Sequence, residues 1–319
     1  MSIRIGRELV TTKDNMKYLG IYVDKDLKFS KHIDYVEGKA LRVSQQLGRL
    51  MPNLKGPREK KRRLYANAIS SILLYGAPIW CDAVCTNIKL RKQLLRIQRM
   101  IALRVVCGYR TVSANAALLL TRLVPINLQA LYLKRTFIRI RELKETDEWC
   151  KRRESEIKEE ERVITIRQWQ IAATGEQTFG KRTSSAICPT IYQWMNRVHG
   201  ELTYRASQLL TGHGCFNAYL FRIGKESSSL CSFCHVEDDS AEHTIIVCDR
   251  WCEERENLKR KIGLDLTLPN IVKRMCVDAD AWQSFIHFAE SVMQVKEEEE
   301  RLREQIARSS ANGADEEGV

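Results

Sequence analysis

Between Cys231 and Cys248 the chain reads Cys231-Ser-Phe-Cys234, eight residues, His243, four residues, Cys248. This Cys-x2-Cys-x8-His-x4-Cys order constrains the fold more than any other stretch, because three thiolates and one imidazole must converge if they share an ion. Two cysteines two residues apart turn on a tight knuckle and aim both sulfurs at one point, while His243 and Cys248 approach from the far side. The set Cys231, Cys234, His243 and Cys248 is that of a closed, tetrahedral zinc site. All four corners come from protein and none is left for water, which points to a structural Zn2+, not a catalytic one. Cys252, four residues past Cys248, is a substitute fourth ligand if that segment is helical. His235 is a weaker competitor, since it neighbours Cys234 and its side chain diverges.

The chain of 319 residues is 44% hydrophobic and 8% aromatic, enough for a sizeable core and two or more modules. Eleven cysteines, an odd count with four at metal spacing and no secretory apolar region at the start, are read as reduced thiols of an intracellular protein, in nucleus or cytoplasm. No apolar run approaches the ~18 residues of a membrane span; the longest candidate, 66–80, is broken by serines, Gly76 and Pro78. The net charge of +12 is unevenly distributed. Residues 1–146 hold 29 Lys and Arg against 10 Asp and Glu, leaving 23 against 30 in residues 147–319. A front half near +19 has a polyanion as its partner, and nucleic acid is the commonest one.

In chain order, Ile3, Ile5 and Leu9 share a period of two, Lys13-Asp14-Asn15 supplies turn chemistry, and Tyr18–Val23 reads as a strand, together a β-hairpin. Helical spacing begins at Ser30, a candidate N-cap, with Ile33, Val36, Ala40, Val43, Leu47 and Leu50 as its stripe. Gly56-Pro57 opens a second helix whose apolar stripe is read as Leu64, Ala68, Ile72 and Tyr75. Its first turn holds Arg58, Lys60, Lys61, Arg62 and Arg63. Alone, that run is a solvated basic turn; within so basic a half-chain it is a candidate phosphate contact. A third helix, about Asn87 to Cys107, buries Leu90, Leu94, Ile97, Ile101 and Val105 and presents Arg91, Lys92, Arg96, Arg99 and Arg104. A short helix leads to Pro125, and Asn127 caps another reaching Glu145. Residues 147–162 mix Lys, Arg and Glu with almost no apolar face and read as an exposed helix or linker. Residues 175–185 read as a loop, 281–296 as a docking helix with Trp282, Phe285, Ala289 and Val292 on one face, and 309–319 as a disordered tail.

Several ordered motifs carry a resemblance. Lys17-Tyr-Leu-Gly20 with Asp24, Leu27-Lys-Phe-Ser and His32-Ile33, then Leu74-Tyr-Gly-Ala-Pro-Ile-Trp80, then Tyr109-Arg-Thr-Val-Ser113, resemble the C-terminal portion of non-LTR retrotransposon reverse transcriptases. Leu209-Leu-Thr-Gly-His-Gly214, Phe216, Tyr219-Leu220, the Cys-His cluster and Trp251 are similar to the zinc-knuckle (CCHC) tail of the same proteins, those of insect ribosomal-DNA-targeted elements above all. The resemblance spans about Lys17 to Arg255. It implies that Tyr18, Leu19 and Gly20 form the strand that closes the palm and grips the primer terminus. It implies too that the helices from Ser30 form the thumb on the template-primer duplex, and that the knuckle binds element RNA or target DNA. The fold class expected is mostly α: an N-terminal β-hairpin (1–28), a helical thumb-like bundle (29–146), a charged helix and linker (147–200), a small zinc-knuckle module (201–260), C-terminal helices (261–308) and the tail (309–319).

Phosphoryl transfer by a polymerase needs paired carboxylates holding two Mg2+ ions about 4 Å apart. The family's early palm aspartate and its adjacent Asp pair are missing: Asp24 has no second Asp beside it, and Asp238-Asp239 lies between zinc ligands in what reads as a solvated loop. Mg2+ is thus expected only for a palm upstream of Met1, and the chain is read as a fragment that does not polymerise. No Ser-His-Asp or Cys-His nucleophile order and no Gly-rich phosphate loop is present. His213 reads as a loop or helix-junction residue, and Trp80, Trp169, Trp194 and Trp282 as core. Two functions are expected: binding of RNA template, DNA target or hybrid duplex with no membrane or small-molecule partner, or a zinc-stabilised adaptor whose apolar helix faces serve protein partners.

Overall fold

Residues 2–11 and 15–24 form two short hairpins where the sequence suggested one. β1 (Ser2–Ile5) pairs antiparallel with β2 (Glu8–Thr11), and β3 (Asn15–Tyr18) with β4 (Ile21–Asp24). The expected strand through Tyr18–Val23 is broken at Leu19 and Gly20, both at positive φ (44° and 85°), the backbone of a primed two-residue hairpin turn. Lys13-Asp14-Asn15 starts the second hairpin and joins it to the first. The structure, a computed structural model, describes residues 2–11, 13–50, 52 and 56–316.

Helices follow: α1 (Ser30–Gly48), α2 (Glu59–Leu73), α3 (Ala77–Thr86), α4 (Ile88–Val105), α5 (Ala114–Thr121), α6 (Ile126–Glu145), α7 (Lys151–Thr174), α8 (Lys181–Ile187), α9 (Ile191–Asn196), α10 (Tyr204–Thr211), α11 (Asn217–Arg222), α12 (Cys252–Ile262), α13 (Leu268–Val277) and α14 (Ala279–Glu316). The protein is mostly α, as expected. The chain folds into two compact units drawn from interleaved segments: residues 1–52, 61–101 and 124–171 make one, and 53–60, 102–123 and 172–319 the other. This differs from the linear succession of modules read from the sequence. Among the described residues no single helix is long and apolar enough to cross a membrane.

In the first unit, the start of α1 is fixed by Asp24, not by Ser30. The Asp24 carboxylate accepts from the backbone N–H groups of Lys28 (2.9 Å) and Phe29 (2.7 Å), Phe29 occupies the cap position at φ 55°, and Ser30 is already helical. The apolar stripe of α2 is also corrected. Ala66, Ile69 and Leu73 are buried, whereas Leu64 is 66% exposed and Tyr75 54%. The two stripes have the same spacing, so period alone does not choose between them, and the charged Arg62 at the head of the inner stripe disguised it. Arg62 itself is 2% exposed and donates to the Pro52 carbonyl at 2.5 Å.

α4 buries Leu90, Leu94, Ile97 and Ile101, as its spacing predicts, and the Asn87 carboxamide caps it by accepting from the N–H of Lys89 at 2.9 Å. Buried Gln98 on α4 donates to the Val124 carbonyl (2.7 Å) and accepts from the Ile126 N–H (2.9 Å). That one side chain, rather than Asn127, satisfies the start of α6, which packs on α3. The charged stretch before residue 162 is not a free linker. Glu161 of α7, 4% exposed, accepts from Arg135 (2.5 Å) and Arg139 (3.0 Å) of α6, and Ile157 is buried. Burial raises the Glu161 carboxyl, but the two guanidinium groups outweigh it and hold it below the usual carboxylate range.

In the second unit α10, α12 and α13 pack on α14, and α8 packs on α5 and α13. Trp194 and Trp282 are fully buried with ring centroids 5.6 Å apart, and the Arg197 guanidinium lies 3.8 Å from the Trp194 centroid. Gly200 is required beside them: a Cβ there would come within 2.3 Å of the Trp282 ring. Part of the segment expected as a loop, from Lys181 onward, is α8. Residues 309–316 of the expected disordered tail continue α14, and 317–319 lie outside the described residues.

The two stripes of α2 are separated by substitution. Ile69→Ala empties a buried site and is expected to cost about 2–4 kcal/mol, while Leu64→Ala is expected to stay within about 0.5 kcal/mol. Urea unfolding of both variants checks the assignment; a larger cost at Leu64 would restore the sequence reading.

Candidate metal centre and basic surfaces

The Cys-His segment is built around a short turn. Cys231 donates its N–H to the Glu237 carbonyl (2.9 Å) and accepts from the His235 N–H (3.0 Å), and His235 takes the left-handed conformation at φ 56°, which reverses the chain after Cys234. The far pair comes from one turn of π-helix, residues His243–Val247, closed by the Cys248 N–H donating to the His243 carbonyl at 2.9 Å. In a regular α-helix, residues five apart point about 140° away from each other. The wider π turn brings His243 and Cys248 to the same side.

The ligand atoms of Cys231, Cys234, His243 and Cys248 all lie within 4.8 Å of one another. Cys231 and Cys248 sulfurs are 3.9 Å apart, and Cys234 Sγ lies 3.3 Å from His243 Nε2. Two sulfurs on a tetrahedral zinc ion, each about 2.3 Å from it, sit about 3.8 Å apart. The residues present therefore fit Zn2+ in both chemistry and spacing. Cys252 is exposed at the start of α12, and neither it nor His235 is part of the cluster. His243 Nδ1 is 3.2 Å from Glu237 Oε2, so a proton shared there leaves the Nε2 lone pair facing the sulfurs. Slight desolvation raises the Cys234 thiol, but the N–H groups of Val236 and Glu237 outweigh it and take it down to about 7. Burial pushes Cys248 up to about 12.

Around this cluster lies a frame the sequence did not disclose. Asp239, expected in a solvated loop, is 3% exposed: Lys296 of α14 donates to both its oxygens (2.6 and 2.8 Å), and the Asn217 N–H donates to it at 2.9 Å. The Asn217 carboxamide donates to the Leu230 carbonyl (2.7 Å), just before Cys231. Arg255 of α12 donates to the carbonyls of Ile245 (3.0 Å) and Cys248. A signal for Lys296 does lie in the sequence: it continues the 285–289–292 apolar stripe of α14 by one further turn. The loop between the ligands is thus anchored from α11, α12 and α14.

The nucleic-acid candidates are distributed as follows. Tyr18 and Leu19 are 61% and 73% exposed at the β3–β4 tip, and the Tyr75 hydroxyl donates to the Leu19 carbonyl at 2.9 Å. Gly20 faces the Tyr75 ring, and a Cβ on Gly76 would come within 2.4 Å of Ile21. The Tyr-Leu-Gly and Leu-Tyr-Gly motifs are therefore two halves of one contact. Arg58, Lys60 and Lys61 are exposed and Arg63 half-buried, with Lys60 3.9 Å from Glu201. Arg62, buried on Pro52, is withdrawn from that surface, contrary to the sequence reading. On α4, Lys92, Arg96 and Arg99 follow at spacings of four and three along one face, and Arg91 stands aside from it. Arg96 is 74% exposed and donates to Glu37 of α1 at 2.6 Å.

Cys231→Ser is expected to abolish stoichiometric zinc in the purified protein and loosen the tail, whereas Cys252→Ser keeps it; elemental analysis by mass spectrometry separates the two. Asp239→Asn leaves the Lys296 ammonium buried without its counter-ion and is expected to cost about 3–5 kcal/mol, measured by denaturant unfolding. A cost near zero would show that the pair does not hold the loop.

No family model matches the sequence, and no solved structure matches it significantly. Among curated proteins, it is 27% identical over 264 residues to the putative 115 kDa protein in type-1 retrotransposable element R1DM of Drosophila melanogaster, covering 79% of this chain and 25% of that protein. It is 23% identical over 279 residues to the Pol polyprotein of type-1 retrotransposable element R1 4 of Nasonia vitripennis (84% and 69%). It is 24% identical over 286 residues to that of element R1 of Bradysia coprophila (84% and 27%). The chain spans about a quarter of the length of the Drosophila and Bradysia relatives. Over about four-fifths of its length, this chain is a homologue of the polyproteins of insect R1 non-LTR retrotransposons.

Proposed function

We propose that this chain is a nucleic-acid-binding portion of a retrotransposon RNA-directed DNA polymerase, holding a template-primer duplex through basic helices and placing element RNA or target DNA with a zinc-bound tail. One observation carries the reading: homology to Pol polyproteins coincides with a front half near +19 whose cations on α2 and α4 are largely solvent-facing. The β3–β4 tip, with Tyr18, Leu19 and Gly20, is in this reading the contact to the primer terminus. Zn2+ held by Cys231, Cys234, His243 and Cys248 fixes the tail's shape and takes no part in bond making.

The aspartates weighed for a polymerase centre are otherwise engaged, which supports a chain without polymerase activity of its own. Asp24 ties down the start of α1, Asp238 accepts from Ser229 at 2.5 Å and Asp239 pairs with Lys296. A second reading, a zinc-stabilised adaptor for proteins, draws on the outward apolar residues Leu64, Tyr75 and Ile79, each more than half exposed.

Changing Arg58, Lys60, Lys61 and Arg63 to Glu is expected to weaken binding to an RNA–DNA hybrid at least tenfold and to flatten its salt dependence, since every phosphate that the protein ceases to neutralise takes about 0.9 off the log–log slope for duplex DNA. Anisotropy titrations across a salt series read both. Arg62→Met is expected to lower stability and leave the slope alone. Unchanged affinity in the four-site variant defeats the duplex reading, and primer extension by the pure protein with Mg2+ defeats the claim of inactivity.

A further inference from the structure

Within the second unit, α8, the α10–α11 connection and the residues just before His243 enclose an open cleft of about 430 Å³. Three cations reach it: Lys181, Arg182 and Arg222. The half-chain to which they belong is acidic, 23 Lys and Arg against 30 Asp and Glu, so the cleft is a positive island and not part of a general basic coat. Arg182 is built in. Its side chain lies along Gly212, where a Cβ would meet its Cδ at 3.1 Å, and its Nε and terminal NH2 group both donate to the Leu209 carbonyl (3.3 and 2.9 Å).

That anchorage leaves the other terminal nitrogen of Arg182 to meet Glu242, whose side chain is 59% exposed. A solvent-exposed carboxylate on a fixed, largely buried guanidinium is a replaceable anion. Lys181 and Arg222, both exposed, make no ion pair among the described residues; Arg222 lies over the Tyr219 ring at 5.4 Å. The cleft thus holds three positive charges against one negative. Thr211, Ser240 and His213 add polar groups at its wall. His213 is stacked on Tyr219 (4.8 Å) and bonded through Nδ1 to Thr111 (2.9 Å). Burial first and Arg222 second take it down to about 4, so it stays neutral and supplies a hydrogen bond, not charge.

We propose that this cleft seats a phosphate group of a single-stranded nucleic acid, with Arg182 as the fixed donor through the terminal nitrogen that Leu209 leaves free, Lys181 and Arg222 as flanking cations, and Glu242 as the group that the phosphate displaces. The proposal rests on the nucleic-acid reading above and adds to it a site away from the basic helices. A guanidinium stays charged when largely buried, so its remaining terminal nitrogen offers a charge-assisted hydrogen bond to a phosphate oxygen. The walls of Ser240 and Glu242 adjoin His243, so the metal centre also shapes the cleft.

The test uses the full, zinc-loaded chain and a fluorescent oligouridylate of about 12 nucleotides, within the span such proteins cover. Lys181→Gln with Arg222→Gln, both at exposed positions, is expected to reduce affinity about tenfold and the salt slope by about 0.7, the equivalent of one phosphate on a single strand. Glu242→Gln is expected to tighten binding a few-fold, and pyrophosphate to displace the oligonucleotide from the wild type. Unchanged affinity in the double variant and in Glu242→Gln overturns the cleft while leaving the basic helices as the binding surface. No binding by the wild type of either the oligouridylate or an RNA–DNA hybrid at any salt, with pyrophosphate still shielding Lys181 from acetylation, overturns the nucleic-acid assignment and the proposed function with it.

Discussion

The buried pair between Asp239 and Lys296 is the contact on which the tail's organisation depends. Two charges taken out of water are tolerated only where every lone pair and proton finds a partner. Here the carboxylate receives both the ammonium and the Asn217 N–H, and the ammonium lies 5.4 Å from the ring centroids of Phe216 and Phe233. Because Asp239 stands midway between Cys234 and His243, fixing it on α14 holds the connection between the two halves of the ligand set. The Cys-His cluster is then pinned from outside by its neighbours. A zinc ion closing the cluster would add to a frame already drawn together by α11, α12 and α14.

A comparable logic governs the first unit. Single polar side chains settle helix junctions: Asp24 the start of α1 and, both buried, Gln98 the start of α6 and Glu161 the docking of α7. Each meets donors that would otherwise be orphaned at a helix end or along a charged face. The apolar faces packed inside leave arginines and lysines outside, which is how a basic surface arises without special architecture. Arg62 and Arg96 qualify it, one buried on a carbonyl and the other answered by Glu37. The usable charge is smaller than the count of basic residues.

Much was legible in the sequence because it rests on short spacing. The Cys-x2-Cys-x8-His-x4-Cys order named four residues that lie within ligand distance of one another, and the α4 stripe of Leu90, Leu94, Ile97 and Ile101 is buried as its period requires. The four tryptophans read as core are all buried. Spacing failed where two faces of one helix were equally apolar. On α2 the sequence offered Leu64 and Tyr75 and the fold took Ala66, Ile69 and Leu73, since only neighbouring elements decide which side is covered.

By itself, then, the sequence determined the helical class, the Cys-His set that could hold a metal ion, the basic character of the front half and the kinship with retrotransposon proteins, all properties of local order and composition. Tertiary structure alone decided which charges are used inside. Asp239 and Lys296 are 57 positions apart, Arg182 and Leu209 are 27, and the Tyr75 hydroxyl reaches Leu19 across 56. No periodicity spans such distances; the partners are chosen by packing, because a buried charge or donor must be satisfied by whatever the folded chain brings beside it.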